Sequence, residues 1–148
     1  MSINDVLYEN KLSKSEIIKG FRKFSDIFEN SHCIKSELLA AYVNFDSARG
    51  KKSESPHSIN FKVGFVVSSK KIKKAVTRNR IKRLLRETYR LNRNMILKKI
   101  LNMNLNLIIM PCAGFYAISQ KKIHVFEEIN NDMKILLRKV FNYVNNAS

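Results

Sequence analysis

The chain has 148 residues, in which 28 Lys and Arg stand against 12 Asp and Glu, a formal net charge of +16. The length suits one compact domain and not two, and so large an excess of one sign repels itself in a compact state, which points to a polyanionic partner. Two cysteines without CxxC spacing, Cys33 and Cys112, argue against a disulfide framework or a zinc site; short apolar runs such as Leu107 to Met110 argue against a membrane span, and no basic-then-apolar signal opens the chain, so a cytoplasmic protein is expected.

Residues 1–12 read as a flexible N-terminus, 13–144 as the folded domain and 145–148 as a flexible tail. Ser13 and Glu16 have capping-box spacing, with Leu12 and Ile17 placed as a hydrophobic staple, but Gly20 argues against an unbroken helix. A helix is expected from Phe21 to Glu29, with Phe24 and Phe28 at i, i+4 on one face, closed by Asn30 and Ser31. Leu38 to Phe45 reads as a strand, Asp46 to Ser58 as loop, and Ile59 to Val67 as the clearest strand, since Phe61, Val63, Phe65 and Val67 alternate. A polar, basic connection follows from Ser68 to Lys74. Thr77 can cap a second helix that ends near Asn92. Leu105 to Met110 is a third strand, and Pro111 to Gly114 reads as a turn. A last helix is expected from about Ser119 to Val144, with Phe126, Ile129, Met133, Leu136, Leu137, Val140 and Val144 on its core face. This order argues an α/β sandwich, one sheet with helices packed on it.

The second helix carries the most information. At about 100° per residue, Ile81, Leu84, Leu85 and Thr88 gather on one side. Asn79, Lys82, Arg83, Arg86, Arg90 and, if the helix reaches so far, Arg93 fall on the other, with Arg80 at the edge. Basic residues crowd the first turns, where the helix dipole disfavours them. Arg83, Arg86 and Arg90 also repel one another, with only Glu87 for relief. A local rule broken without local gain marks a functional face, and arginine suits forked hydrogen bonding to phosphate.

From Val76 to Glu87, the run Val-Thr-Arg-Asn-Arg-Ile-Lys-Arg-Leu-Leu-Arg-Glu resembles the signature of the bacterial ribonuclease P protein family. Lys62 to Lys71 is similar to that family's strand leading into a Ser-Lys-Lys segment. Phe24 to Phe28 resembles its first-helix aromatic pair, and Tyr42 falls where it carries an aromatic on the next strand. The chain departs from the family by one extra residue before Arg78, by Lys73 in place of a Gly and by Ser31 in place of another, so the Ser68–Lys74 crossover is expected to differ. The resemblance implies an α+β fold: a four-stranded mixed sheet with three helices and a left-handed βαβ crossover, similar to a ribosomal protein domain. The patterning gives three strands; the fourth comes from the resemblance alone.

The resemblance also implies that Arg78, Asn79, Arg80, Lys82, Arg83, Arg86 and Arg90 bind ribonuclease P RNA. Phe24, Phe28, Tyr42, Lys70 and Lys71 would line a cleft for the single-stranded 5′ leader of precursor tRNA. Mg²⁺ and the active site would belong chiefly to the RNA subunit, none of the metal being bound by the protein alone, with no membrane and no obligate protein partner. The residues themselves offer no catalytic constellation: no paired carboxylates, no HxH or HExxH, no Gly-rich phosphate loop. His57 and His124 read as structural or solvated. By spacing alone two Phe at i, i+4 are more often core residues, and only the resemblance favours the cleft. The alternatives are a general RNA-binding or ribosomal-type protein, which explains the charge but not the motif with its upstream aromatics, and a stand-alone nuclease, which lacks a catalyst. A DNA-reading helix-turn-helix needs a helix where the Ile59–Val67 strand stands.

Overall fold

The computed structural model describes residue 12 and residues 16–18, 21–45, 61–100, 103–119 and 126–147. The expectations for residues 1–11, the Ser13 cap, the Gly20 break, the 46–58 loop, Ile59, His57 and His124 lie outside them. Among the described residues nine helices and strands follow one another: α1 (Phe21–Glu29), β1 (His32–Lys35), β2 (Leu39–Phe45), β3 (Phe61–Phe65), α2 (Ala75–Asn92), α3 (Asn94–Ile100), β4 (Leu105–Pro111), α4 (Ala113–Ser119) and α5 (Phe126–Ala147).

The strands form one mixed sheet in the order β1-β2-β4-β3. β4 lies antiparallel to β2, from Leu39 opposite Pro111 to Phe45 opposite Leu105, and parallel to β3. A parallel pair needs a crossover, and α2 and α3 supply it. Alternation then sorts the side chains. Leu39, Ala41 and Val43 of β2, Phe61, Val63 and Phe65 of β3, and Leu105, Leu107 and Ile109 of β4 face α2, α3 and α5 in the main core. The other face carries Ile108 of β4, packed with Ile18 and with Ile27 of α1.

β1, the fourth strand, pairs antiparallel with β2 from His32 opposite Val43 to Lys35 opposite Ala40. Its four residues, His-Cys-Ile-Lys, are only half-buried or exposed, so no apolar period announces them. An edge strand is made by its neighbour's free backbone groups more than by its own side chains. The turn that follows is fastened from outside. Asp132 of α5 accepts from the Ser36 hydroxyl at 2.5 Å and from the Leu38 N–H at 3.2 Å.

The helices depart from expectation at their ends. α2 starts at Ala75, two residues before Thr77, and Lys74 at its N-cap makes no side-chain cap. Arg78 instead ties the crossover onto the first turn: its guanidinium donates to the Ile72 and Lys73 carbonyls at 2.9 and 2.7 Å. Of residues 111–114, expected as a turn, Pro111 closes β4 and Ala113 and Gly114 already belong to α4. Gly114 lets that helix approach β1–β2, since a Cβ there would stand 2.2 Å from the Glu37 carbonyl oxygen. Ser119 closes α4, and α5 is described from Phe126, with Glu127 and Glu128 at the dipole's favourable end, past Val144 to Ala147. The helices therefore number five among the described residues, not three.

Arg93 is the largest correction. It is 1% exposed and pairs with buried Glu16 at 2.5 Å, beyond the end of α2 and off the cationic stripe. Glu16, read as half of a capping box, precedes Ile17 and Ile18, which bridge to Val63 of β3. The ion pair thus holds the segment before α1 against the chain that leaves α2. Tyr89 packs beside it, fully buried, and burial raises its phenol well above the usual range. Glu16→Ala strips a buried guanidinium of this carboxylate and should destabilise the protein by about 3–5 kcal/mol, measured as a lower urea midpoint at unchanged slope.

Candidate nucleic-acid interface

α2 buries Ile81, Leu85, Thr88, Tyr89 and Asn92. Leu84, expected in the core beside Leu85, is half-buried. The opposite side presents Asn79, Arg80, Arg83 and Arg86, all exposed, flanked by half-buried Lys82. No acid stands in its first turn. The stripe read from periodicity is therefore present, but the RNA-binding set that the resemblance implies is engaged at both ends. Arg78 holds the crossover. Arg90 grips Glu87 through two hydrogen bonds, at 3.0 and 2.6 Å. That grip holds the Glu87 carboxyl below its usual range and raises the guanidinium. Exposed as it is, the pair adds little stability; it offsets one positive charge at the C-terminal end of the stripe.

On the other sheet face, α1 brings Phe24 and Phe28 against Tyr42 and Val66. Phe28 meets Tyr42 edge-on, ring centroids 4.8 Å apart and planes at 82°. The α1 helix sits this low because residue 64 is glycine: a Cβ would come within 2.6 Å of the Phe24 ring and 3.2 Å of Ile18. Burial raises the Tyr42 phenol above its usual range, and Cys33, opposite it on β1, adds to the shift. The ring stays neutral at physiological pH and opposes no phosphate.

A groove of about 470 Å³ opens between α1 and α2. Phe24, Ser25, Phe28 and Glu29 form one wall; residues 65–67 and Lys82 form the other. Tyr42 stands behind Phe28 and not in the lining. Lys70 and Lys71, expected in the cleft, project from an exposed turn after Val67, and neither lines the groove. That turn is set by its own backbone, the Ile72 N–H donating to the Ser68 carbonyl, and by the Tyr116 hydroxyl, which accepts from the Ser68 N–H at 3.2 Å. Lys82 supplies the groove's cation. Its place on the stripe follows from helical period; its place in the groove depends on where α1 lies, for which the local sequence holds no signal. Among the described residues no three His, Cys, Asp or Glu side chains gather as a metal-holding group.

An aromatic groove joined to an arginine-rich helix face suits a polyanion with unpaired bases, which stack on rings while their phosphates meet cations. Gly64→Ala should force the Phe24 ring off the sheet and cost roughly 1–3 kcal/mol; chemical denaturation checks the loss, and weakened contacts between the Phe24 ring and Ile18 in NMR spectra check its cause.

A profile of the family described as Ribonuclease P matches residues 12–141. The chain is 35% identical over 91 residues to the ribonuclease P protein component of Chlorobaculum tepidum, covering 62% of this chain and 56% of that protein, little more than half its length. It is 34% identical over 100 residues to the corresponding protein of Lachnoclostridium phytofermentans, covering 68% and 72%. The fold is similar to the solved RNase P protein of Staphylococcus aureus, with a TM-score of 0.61 and 20% identity over 86% of this chain and 96% of that one.

Proposed function

The chain belongs to the ribonuclease P protein family, and from that premise we propose that it is the protein subunit of ribonuclease P. In this reading it binds the catalytic RNA and the 5′ leader of precursor tRNA and assists endonucleolytic removal of that leader in the cytoplasm. The observation that carries the reading is the junction at Lys82, which belongs both to the cationic stripe of α2 and to the wall of the aromatic groove. One RNA body on the stripe and one single strand in the groove would be held side by side. The protein then acts by positioning substrate and offsetting charge. Mg²⁺ belongs chiefly to the RNA subunit, and no step is assigned to protein-bound metal. Among the described residues no helix is long and apolar enough to cross a membrane.

Reconstitution tests the proposal: the protein should stimulate leader removal by ribonuclease P RNA at low Mg²⁺, and a general RNA-binding protein would not. Replacing Arg80, Arg83 and Arg86 by Ala should weaken holoenzyme assembly and flatten the log–log salt dependence by roughly 0.7–0.9 per lost phosphate contact. The melting temperature should hold, because all three are exposed. Arg78→Ala should behave differently, loosening the crossover, which is visible as faster amide exchange over residues 68–74.

For the groove, Phe24→Ala and Phe28→Ala should each cost about 1–3 kcal/mol of precursor tRNA binding. Mature tRNA has no leader, so its affinity for the same holoenzymes should not change. Equal losses for both tRNAs, with lowered melting temperatures, would assign these rings to the fold alone.

A further inference from the structure

The groove between α1 and α2 carries one charge that phosphate binding does not account for. Glu29, the last residue of α1, stands in its wall. The helix dipole disfavours a carboxylate at that end. In a chain with a net charge of +16, Glu29 nonetheless has no hydrogen-bond or ion-pair partner among the described residues. Lys82 lies across the groove, and no ion pair joins the two. A carboxylate left exposed beside a phosphate site repels the backbone it meets, a local cost that marks a gain elsewhere.

Its neighbours indicate the gain. At about 100° per residue Phe24, Phe28, Ser25 and Glu29 follow one another around α1, from the sheet side outward. The two rings are half-buried, and Ser25 and Glu29 are exposed. A base lying on the Phe28 ring turns its edge toward a hydroxyl and a carboxylate one helical turn apart. A carboxylate only accepts, and it accepts through both oxygens at once. Among the four bases of RNA, guanine presents two adjacent donors on its pairing edge, N1–H and N2–H, with O6 beside them to accept from a hydroxyl. Adenine N1 and cytosine N3 put a lone pair where guanine has N1–H, and uracil flanks its single donor with two carbonyls. An unpaired base leaves this edge free to be read. We propose that Glu29 makes the groove selective for guanine: the base stacks on Phe28, N1–H and N2–H donate to the Glu29 carboxylate, and a neighbouring phosphate meets Lys82. The opposite charges of the two walls then serve the two ends of one nucleotide. This selectivity rests on the groove taking single-stranded RNA, and it names the base taken.

Uridylate hexamers with one position changed to guanosine, adenosine, cytidine or inosine test it, titrated into the full chain without ribonuclease P RNA. Dissociation constants are read from the NMR shifts of the Phe24 and Phe28 rings, which report the groove and not the α2 stripe. The hexamer with guanosine should bind about tenfold tighter than plain oligouridylate, within the range of one bidentate pair. Inosine lacks the N2 amino group and should lose most of that gain. Glu29→Gln should abolish the preference and tighten binding of plain oligouridylate, since a repelling charge is gone. Its melting temperature should hold, because Glu29 is exposed. Guanosine no tighter than the other bases, inosine equal to guanosine, or a preference that survives Glu29→Gln would overturn the role of Glu29 and leave the groove a single-strand site. Ring shifts absent with every hexamer would overturn the single-strand site itself, and the selectivity with it.

Discussion

The constraint on which this structure depends is that β4 is covered on both faces. Its residues 105–109 are buried whichever way they point, so the sheet needs a layer on each side. Leu105, Leu107 and Ile109 draw α2, α3 and α5 to one face; Ile108 draws α1 and Ile18 to the other. Asn106 is the polar exception on that second face, and Asn44 of β2, opposite it, accepts its side-chain amide at 3.2 Å. With the middle of the sheet closed, unpaired surface is left at the margins. One margin holds α2 and the groove beside α1, and the other holds β1 and α5.

The second constraint is electrostatic. A net charge of +16 opposes compaction. The chain meets it by separating its cations and by engaging some of them internally. Arg93 is buried against Glu16, Arg78 is spent on backbone carbonyls, and Arg90 is matched by Glu87. Arg80, Arg83 and Arg86 remain exposed in a row on α2. The division is chemical: arginines near buried carbonyls or carboxylates stabilise the fold, and those facing solvent carry potential for a partner. Periodicity alone puts Arg83 and Arg86 on one stripe with Arg90, and so merges the two groups.

The elements legible in the sequence are those whose signal is local. Phe24 and Phe28 at i, i+4 within a polar stretch give α1 its observed ends, Phe21 and Glu29. The alternation of Phe61, Val63 and Phe65 gives β3, and the apolar run before Pro111 gives β4. Ile81, Leu85 and Thr88 fix which side of α2 is buried, and so fix which side is cationic. Periods of two and 3.6 are properties of the backbone, and any face they generate can be read before the chain folds.

What the tertiary structure decided concerns residues whose place is set by something distant in sequence. His32 to Lys35 become a strand because β2 offers a ladder. Position 114 requires glycine, although it lies in a helix, because the Glu37 carbonyl leaves no room for a side chain. Arg93 turns inward because Glu16, 77 residues earlier, waits there. Lys82 enters the groove wall, and Lys70 and Lys71 do not, because α1 settles over Gly64 and the crossover turns on Ser68. The sequence by itself determined that one helix would present a cationic face and that aromatic residues would lie near the start of the domain. Only packing across the sheet decided that the two would share a wall, since contacts between segments so far apart leave no periodic trace in either one.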